Sequence, residues 1–407
     1  MSRRAIAVVG AGWGDEGKGR IVDFLVGHHP GLPPCAMVVR HNGGAQAGHT
    51  VQVGAERLAF RTFSSGTLHG VPTYLGPEFV VDPAAALVER EELTGAVGPI
   101  DLLVDPAARI GLPFDGALCR AVEEARGATR HGSCGYGIGE TVERNLSGST
   151  LSYGRAFETD ERELGNEINR MQVEYVPARA DALRRAAGVS SLPVPKCDGR
   201  EVARTIKDFC ALAGAPATTL PIEGRDDGLV VFEGAQGLLL DEKHRFFPHV
   251  TRSATGLRNV VPLCKRLGIR MLDVLYVMRS YSTRHGAGQF PTVVPGMSFD
   301  DPTNVPNPWQ GTLRFGTLDT MNIRDAIEQD LGEAEGGLPD VTIGRVGIAL
   351  NCLDQFGGRA MLDRVERLLR LPVVIAGWGP RREQVMTRDP EWFRGCLSKI
   401  PDEAYKS

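Results

Sequence analysis

Short runs of β-branched and other apolar residues recur along this chain, each separated from the next by a longer stretch with helical spacing. Buried strands that alternate with helices predict a mainly parallel central β-sheet flanked by helices on both faces. In such sheets ligands bind beyond the carboxyl ends of the strands, and the polar motifs of this chain directly follow the runs. The runs predicted as strands are Ala5–Val9, Ala36–Val39, Phe79–Val81, Leu102–Val104, Leu229–Phe232, Val274–Val277, Val346–Leu350 and Val373–Ile375.

Composition limits how this chain can be organised. The 407 residues are 42% hydrophobic and 24% charged, which allows a large core, and no linker, charge block or repeat divides them. We therefore predict an α/β fold with a single large domain over residues 1–407. The eight cysteines form no C-x-x-C pair and no zinc-like spacing with histidine, which predicts reduced structural thiols.

Charge and hydropathy also exclude some partners. A formal net charge of -4 gives no case for general nucleic-acid binding, which needs a concentrated basic surface. No apolar stretch approaches the length of a membrane span, and the opening run is too short for a signal peptide. We therefore expect a cytoplasmic protein with neither a nucleic-acid partner nor a membrane partner.

Two long segments lie between the strand runs. Phe157–Ala187 is rich in Glu, Arg and Ala with helical apolar spacing, which predicts helices broken around Pro177. These helices belong to a helical insertion expected over roughly residues 155–215, and we interpret their charges as a solvated face. Pro302–Phe315 has three prolines and no periodicity, which is typical of a binding loop in a compact domain.

The first run ends in a glycine-rich turn, GAGWGDEGKGR at Gly10–Arg20, which a helix-like IVDFL follows. Strand, glycine-rich turn and helix N-terminus together let backbone N–H groups and the helix dipole hold a phosphate. We therefore predict a P-loop-NTPase-like fold, although Gly19 follows Lys18 where the Walker pattern requires Ser or Thr. The alternative, a tight turn with solvated charges, does not explain the acidic pair Asp15 and Glu16.

The loop WGDEGKGR, followed by GG-x-x-AGHT at Gly43–Thr50, resembles the adenylosuccinate synthetase family. Later blocks look like the family's further motifs in the same order, so the resemblance spans nearly the whole chain. It implies a ligase that uses a nucleoside triphosphate to couple L-aspartate to carbon 6 of a purine nucleoside monophosphate. The later blocks are FEGAQGLLLD at Phe232–Asp241, FPHVT at Phe247–Thr251, YSTRHGAGQFPT at Tyr281–Thr292, GTLD at Gly316–Asp319 and GPRREQVMTRDP at Gly379–Pro390.

The resemblance implies roles for individual residues. Asp15 matches the general base that takes the N1 proton as the purine 6-oxygen attacks the γ-phosphate. His49 matches the histidine that stabilises the transferring phosphoryl group, and Gln236 matches the amide that contacts the 6-oxygen. Mg²⁺ is the implied cofactor, held by Asp15 and the carbonyl of Gly48. Nucleotide or phosphate binding is implied for Gly14, Glu16, Gly17, Lys18, Gly19, Thr50, Ser133, Cys134, Thr251, Asn351, Asp354, Gly377 and Gly379.

Recognition of the triphosphate's base is implied for Asn351–Asp354 and for Ala376–Pro380. Asp354 can accept hydrogen bonds from N1–H and from the exocyclic amine of guanine. The family's lysine is replaced by Cys352. A guanine preference therefore does not follow, and both ATP and GTP stay open as the donor.

Other substrate-facing positions also depart from the family pattern. Gln46 stands where the family has Asn, and Cys134, beside Ser133, stands where a phosphate-binding Thr is expected. The family completes its sites across a homodimer interface with an arginine that reaches into the partner's phosphate site. Arg144 and Arg155 are the alternatives for that arginine here, and a homodimer is the expected assembly.

The largest departure is the segment 307–314, where the family has threonines and a run of arginines that bind aspartate. Thr312 and Arg314 are the predicted aspartate-binding residues. Loss of an arginine beside the ribose removes a partner for the 2′-hydroxyl, so a deoxyribonucleotide becomes acceptable. We therefore hypothesise dGMP as the acceptor, with IMP as the alternative. This loosely resembles the divergent phage branch of 2-aminoadenylosuccinate synthetases, although that branch typically replaces the aspartate retained here as Asp15.

Two other classes of protein share part of this pattern. An inactive nucleotide-binding paralogue would keep the phosphate loop but lose the chemical groups, whereas Asp15, His49 and Gln236 are all present. A P-loop GTPase or ATPase switch would carry Ser or Thr after Lys18, and this chain does not. The sequence therefore favours an active ligase.

Overall fold

The computed structural model describes residues 3–394, apart from residues 28, 30, 219–227, 302, 305, 307, 338 and 339. The strands are β1 (Arg3–Gly10), β2 (Cys35–Arg40), β3 (His49–Val53), β4 (Glu56–Phe60), β5 (Thr73–Leu75), β6 (Val80–Val81), β7 (Leu102–Val104), β8 (Arg109–Ile110), β9 (Leu229–Glu233), β10 (Ile269–Arg279), β11 (Ser282–Arg284), β12 (Arg314–Gly316), β13 (Thr342–Asn351), β14 (Val373–Gly377) and β15 (Val385–Thr387). The α-helices are α1 (Lys18–Val26), α2 (Pro83–Leu93), α3 (Pro113–Arg126), α4 (Ile138–Leu146), α5 (Tyr153–Glu158), α6 (Glu161–Ala187), α7 (Gly199–Ala213), α8 (Val260–Arg266), α9 (Thr320–Gly337), α10 (Gly358–Leu369) and α11 (Pro390–Arg394).

The main sheet has nine strands in the order β15-β14-β13-β10-β1-β9-β2-β5-β7. Its strand pairs are parallel except for β14 with β15, which are antiparallel. The predicted α/β class with a mainly parallel central sheet is therefore confirmed. The predicted run Phe79–Val81 was wrong as a strand of this sheet, because β6 pairs with β8 in a separate two-stranded sheet and has one further bridge, from Val80 to Gly44.

The central strands are buried on both faces, as expected when helices cover a parallel sheet. Successive residues of β1 alternate between two hydrophobic clusters, because side chains of a strand point to opposite faces. Ala7 and Val9 belong to one cluster, and Ile6 and Val8 belong to the other. The short strand β5 was missed by the sequence analysis, since three residues carry too little periodicity to stand out.

Helices α5, α6 and α7 occupy most of the segment expected to be helical. The predicted break around Pro177 was wrong, because α6 runs through this residue. A proline removes the hydrogen bond to the carbonyl four residues earlier, here that of Val173. Pro177 is exposed and Val173 is 73% exposed, so water can satisfy that carbonyl while the buried Leu164 and Leu183 hold the two halves of the helix in place.

Two further features concern residues outside the sheet. Across the part of the chain that the structure describes, no helix combines the length and apolarity that crossing a bilayer requires. Within the same residues the cysteines form no disulfide, and Cys396 lies outside them.

Candidate active site

The loops that follow β1, β2, β9, β10 and β13 surround a cleft of about 1040 Å³. Most of the residues predicted to act lie along it, whereas Thr312, Arg314, Asn351 and Gly377 are not part of its lining. The predicted residues that line the cleft are Gly14, Asp15, Glu16, Gly17, Lys18, Gly19, Gly48, His49, Thr50, Ser133, Cys134, Gln236, Thr251, Asp354 and Gly379.

The phosphate-type loop connects the end of β1 to the start of α1. Gly17 caps the helix with φ of 86°, a left-handed conformation that favours glycine. Gly19 is required for a different reason: a Cβ there would lie 2.6 Å from Cβ of His49 and 2.8 Å from Oγ of Ser65. The loop therefore brings the first turn of α1 directly against the strand that carries His49.

Glu16 stabilises this loop through hydrogen bonds to other residues of the loop. One carboxylate oxygen accepts hydrogen bonds from the backbone N–H groups of Gly12, at 3.1 Å, and Gly14, at 2.8 Å. The other oxygen accepts from Nζ of Lys18 at 2.7 Å, and both side chains are buried. The carboxylate of Glu16 therefore holds the loop and balances the charge of Lys18.

His49 lies in a buried pair with Glu233, the last residue of β9. Nδ1 of His49 is 2.7 Å from Oε1 of Glu233, and the hydroxyl of Ser65 donates to the same oxygen at 2.6 Å. Burial lowers the pKa of His49 although Glu233 opposes the shift, and the carboxylate of Glu233, as an acceptor, fixes a proton on Nδ1. Burial opposes ionisation of Glu233, but His49, Arg40 and the Ser65 hydroxyl together lower its pKa to about 2. Nε2 of His49 is left for a ligand.

Asp15 belongs to a closed circuit of polar contacts. Its backbone has φ of 62°, and its carbonyl accepts from Nε of Arg279 at 2.5 Å. Arg279 pairs with Asp301 at 2.9 Å, and Asp301 accepts from Nδ2 of Asn304 at 2.8 Å. Oδ1 of Asn304 lies 2.9 Å from Nε2 of His285, which in turn lies 3.4 Å from Oδ2 of Asp15.

Sequence reasoning missed four members of this circuit, Arg279, His285, Asp301 and Asn304. Arg279 ends a central strand, so the rule that ligands collect at the carboxyl ends of parallel strands could have found it. His285 lies in a motif of the sequence analysis and Asn304 in its predicted binding loop, but neither was given a role. No pattern in the sequence brings Asp301 next to Arg279, because one lies in a loop and the other ends a strand.

Gln236 follows β9 and also has a left-handed backbone, with φ of 57°. Its side-chain oxygen is buried without a hydrogen-bond partner among the described residues. Buried polar atoms are almost always paired, so an unpaired one in the lining of a cleft marks a place for a ligand group. The amide lies against Gly43, where a Cβ would be 3.5 Å from that oxygen.

Comparison with known proteins agrees with this geometry. The sequence pattern of the adenylosuccinate synthetase family matches residues 7–328. The chain belongs to the adenylosuccinate synthetase family. It is therefore a nucleotide-binding C–N ligase of purine biosynthesis, as its motifs predicted.

Two solved structures share the fold. Fully ligated adenylosuccinate synthetase from Plasmodium falciparum superimposes with a TM-score of 0.71 at 18% identity, over 94% of this chain and 99% of that one. Cyanophage S-2L succinoaminodeoxyadenylate synthetase, bound to dGMP and to dATP as an energy donor, gives 0.61 at 18% identity, over 97% and 99%. At this identity the likeness establishes the fold alone.

The segments predicted to recognise the donor's base, 351–354 and 376–380, lie beside the loop after β1. Asn351 is buried, and its Nδ2 donates to the carbonyl of Glu16 at 2.7 Å. A Cβ on Gly377 would collide with Asn351 and Arg20, and Arg20 also donates to the carbonyl of Gly379. Asn351 and Gly377 therefore shape the loop from behind, while the exposed Asp354 lines the cleft.

The loop that contains Ser133 lies against α3. The backbone N–H of Ser133 donates to Glu123 at 3.2 Å, and its hydroxyl lies 2.9 Å from Sγ of Cys119. Burial raises the pKa of Cys134 to about 11, so this cysteine is a neutral thiol at physiological pH. Thr251 lies elsewhere on the same cleft.

One predicted alternative is excluded by the structure. Arg144 is fully buried and pairs with Asp115 at 3.0 Å, with a further bond to the carbonyl of Ile110 at 2.7 Å. It cannot reach a partner subunit. Arg155 is 50% exposed and contacts Glu163 on the surface. Arg155 therefore remains the predicted arginine for the partner's phosphate site.

The two predicted aspartate-binding residues do not converge on Asp15 in this structure. Thr312 is exposed, and the guanidinium of Arg314 donates to the carbonyls of Gly286, at 2.7 Å, and Gly288, at 3.1 Å. Asn307, also in that segment, lies outside the described residues. In this segment and in the residues just before it, the cleft is lined by Asp300, Asp301, Thr303, Asn304 and Gln310.

Proposed function

We propose that this ligase couples L-aspartate to C6 of a 6-oxopurine nucleoside monophosphate through a 6-phosphoryl intermediate, with ATP or GTP as phosphoryl donor. The supporting observation is that one cleft combines Asp15, Lys18, His49 and Gln236. These groups match what the two half-reactions require: a proton acceptor, a cation for phosphate, a phosphoryl contact and a partner for the 6-oxygen. Hydrolysis of the triphosphate to diphosphate and phosphate drives the coupling.

In the first half-reaction the 6-oxygen attacks the γ-phosphorus, and the bond from that phosphorus to the bridging oxygen breaks. The carboxylate of Asp15, 32% exposed on the cleft, takes the N1 proton. When a phosphoryl oxygen approaches Nε2 of His49, that nitrogen takes up a proton from water and the carboxylate of Glu233 stabilises the resulting imidazolium, so that Nε2–H can donate to the transferring group. The amide of Gln236 contacts the 6-oxygen, to which its N–H can donate a hydrogen bond.

Mg²⁺ fits the donor set that this chain offers. Within the described residues no group of three or more His, Cys, Asp or Glu side chains could hold a metal by itself. Mg²⁺ needs none, since it is usually bound through one or two carboxylates, water and the substrate's phosphates. The carboxylate of Asp15 and the carbonyl of Gly48 are hard oxygen donors on the cleft lining. When bound, the ion would neutralise charge on the triphosphate.

In the second half-reaction the amino group of aspartate attacks C6, the new C–N bond forms, and the bond from C6 to the phosphorylated oxygen breaks. Phosphate leaves as a good leaving group, whereas the unmodified 6-oxygen would not. Gln236 can donate to the departing oxygen. We propose Thr312 and Arg314 for the substrate carboxylates only if the segment 308–314 rearranges, because Arg314 is bonded to Gly286 and Gly288.

We propose dGMP as the acceptor. The segment 307–314 lacks the run of arginines expected from the family, so a partner for a ribose 2′-hydroxyl is lost, and a site that does not read the hydroxyl can accept a deoxyribonucleotide. Asp15 has two carboxylate oxygens, which suit the N1–H and the 2-amino group of guanine. The cyanophage protein of the same fold binds dGMP. Retention of Asp15 also suits IMP, which is the second candidate.

The test is a phosphate-release and mass-spectrometry assay with Mg²⁺ and L-aspartate, in which IMP, GMP and dGMP are crossed with ATP and GTP. A succinyl adduct with dGMP is expected. An adduct with IMP alone would overturn the acceptor assignment and leave the ligase chemistry standing. Absence of both phosphate release and adduct in every combination would favour an inactive nucleotide-binding paralogue. We also propose a homodimer, for which sedimentation of the intact chain is the direct measurement.

A further inference from the structure

His285 lies between the side chain of Asp15 and that of Asn304, and the surrounding contacts decide which of its ring nitrogens carries a proton. Nδ2 of Asn304 donates to Asp301 at 2.8 Å, so Oδ1 of Asn304 is the atom that faces His285, at 2.9 Å. An amide oxygen and the carboxylate of Asp15 are both acceptors. Nε2 of His285 must therefore be the donor, since it faces both.

The same circuit fixes Asp15 at two points. Nε of Arg279 donates to its carbonyl at 2.5 Å, which supports a backbone with φ of 62° that a non-glycine residue seldom adopts. His285 lies 3.4 Å from Oδ2 of the side chain. This separation is slightly long for a hydrogen bond, and a small rotation of the carboxylate is enough to form one. The second carboxylate oxygen then remains available to the substrate.

We propose that His285 is a positioning residue that orients the carboxylate of Asp15 for proton transfer and links it, through Asn304, to the segment that begins at Asp301. The inference rests on the proposed function, because it assigns His285 a part in that reaction. Asp301 and Asn304 line the cleft together with Asp15.

Two substitutions of similar size, His285→Gln and His285→Asn, distinguish a hydrogen-bonding role of this side chain from a role in packing. In His285→Gln the side-chain nitrogen stands the same number of bonds from Cβ as Nε2, whereas in His285→Asn it takes the place of Nδ1. We expect His285→Asn to lower kcat by about tenfold or more with little change in KM for the nucleotide, as for loss of a hydrogen bond that orients a reacting group. His285→Gln should keep most of the wild-type kcat.

A double-mutant cycle tests the link to Asn304. Asn304→Ala alone should lower kcat less than His285→Asn does, and the two changes together should cost no more than His285→Asn alone, because residues acting in one chain are not additive. Equal activities for His285→Gln and His285→Asn, or fully additive effects with Asn304→Ala, would overturn the proposal. Thermal melting of each variant separates these outcomes from loss of folding.

A measurement without substrates distinguishes this inference from the proposed function. The ¹⁵N resonances of the His285 ring, recorded above the ordinary pKa of histidine, report which nitrogen is protonated. We expect the Nε2–H tautomer in the wild type, and the Nδ1–H tautomer would overturn the arrangement. If the wild type forms no adduct with any acceptor, the proposed function fails, and the ring resonances still decide whether His285 faces Asp15 as a donor.

Discussion

Nδ1 of His49 and Oε1 of Glu233 lie 2.7 Å apart in a pair that is almost completely buried. The carboxylate fixes the ring orientation and stabilises the protonated ring when a phosphoryl group is close. We predict that Glu233→Gln lowers kcat by about 10- to 100-fold, as outer partners of functional histidines do, with little change in KM for either nucleotide. Steady-state kinetics against each nucleotide measures both quantities.

Glu89→Gln is the matched control for that experiment. Glu89 is also a fully buried carboxylate, but it accepts hydrogen bonds from the backbone N–H groups of Arg61, at 2.7 Å, and Thr62, at 2.7 Å, and is not part of the cleft lining. Its substitution should lower the melting temperature and leave the kcat of the folded fraction unchanged. A wild-type kcat for Glu233→Gln would contradict the role given to the pair.

Asp15→Asn tests the general base without disturbing the loop. Asn tolerates a left-handed backbone better than Ala, which matters at φ of 62°. We predict that the variant still binds the triphosphate through Lys18 and the loop but forms adduct about 10²- to 10⁴-fold more slowly, even at saturating Mg²⁺, since the amide cannot take the N1 proton. Equilibrium binding and adduct formation are measured on the same preparation, and wild-type adduct formation would show that another group is the base.

Most of the fold was predictable because the strands of a covered parallel sheet are continuous apolar runs. The run at Leu229–Phe232 could be recognised since every residue of β9 is buried. By contrast, the run at Phe79–Val81 has the same composition, and only the chain path takes β6 away from the main sheet. The continuity of α6 through Pro177 depends on which side of the helix faces water, and that follows from packing rather than local sequence.

The candidate site was predictable where its residues come from one loop, and less so where separate loops meet. The turn that contains Asp15 and Lys18 could be recognised from its glycines and from its position directly after a predicted strand. Arg144 carries the same local signal as any helical arginine, and only the tertiary contact with Asp115 shows that it is unavailable. The role proposed for His285 likewise depends on its contact with Asn304, nineteen residues later along the chain, and no sequence motif predicts that contact.

Removal of the proline within α6 should stabilise the protein. Pro177→Ala restores an N–H that can donate to the carbonyl of Val173, while the unfolded chain gains some freedom. We predict a net rise of about 2 kcal/mol in the free energy of unfolding. Pro113→Ala is the control, because Pro113 lies in the first turn of α3, where a proline costs no helical hydrogen bond. Equal effects from both substitutions, measured by urea unfolding, would contradict this account.

His41 should make the protein sensitive to acid. Its side chain is fully buried, neither ring nitrogen has a hydrogen-bond partner among the described residues, and burial, aided by Arg40, lowers its pKa to about 3. Between the ordinary pKa of histidine, about 6.5, and that value the unfolded chain binds a proton that the folded chain does not. The free energy of unfolding therefore falls as pH drops, by about 1.4 kcal/mol per pH unit from this group. In His41→Phe, urea unfolding across this range should show a slope against pH that is smaller by that amount, and parallel curves for the two proteins would show that His41 is protonated in the folded state.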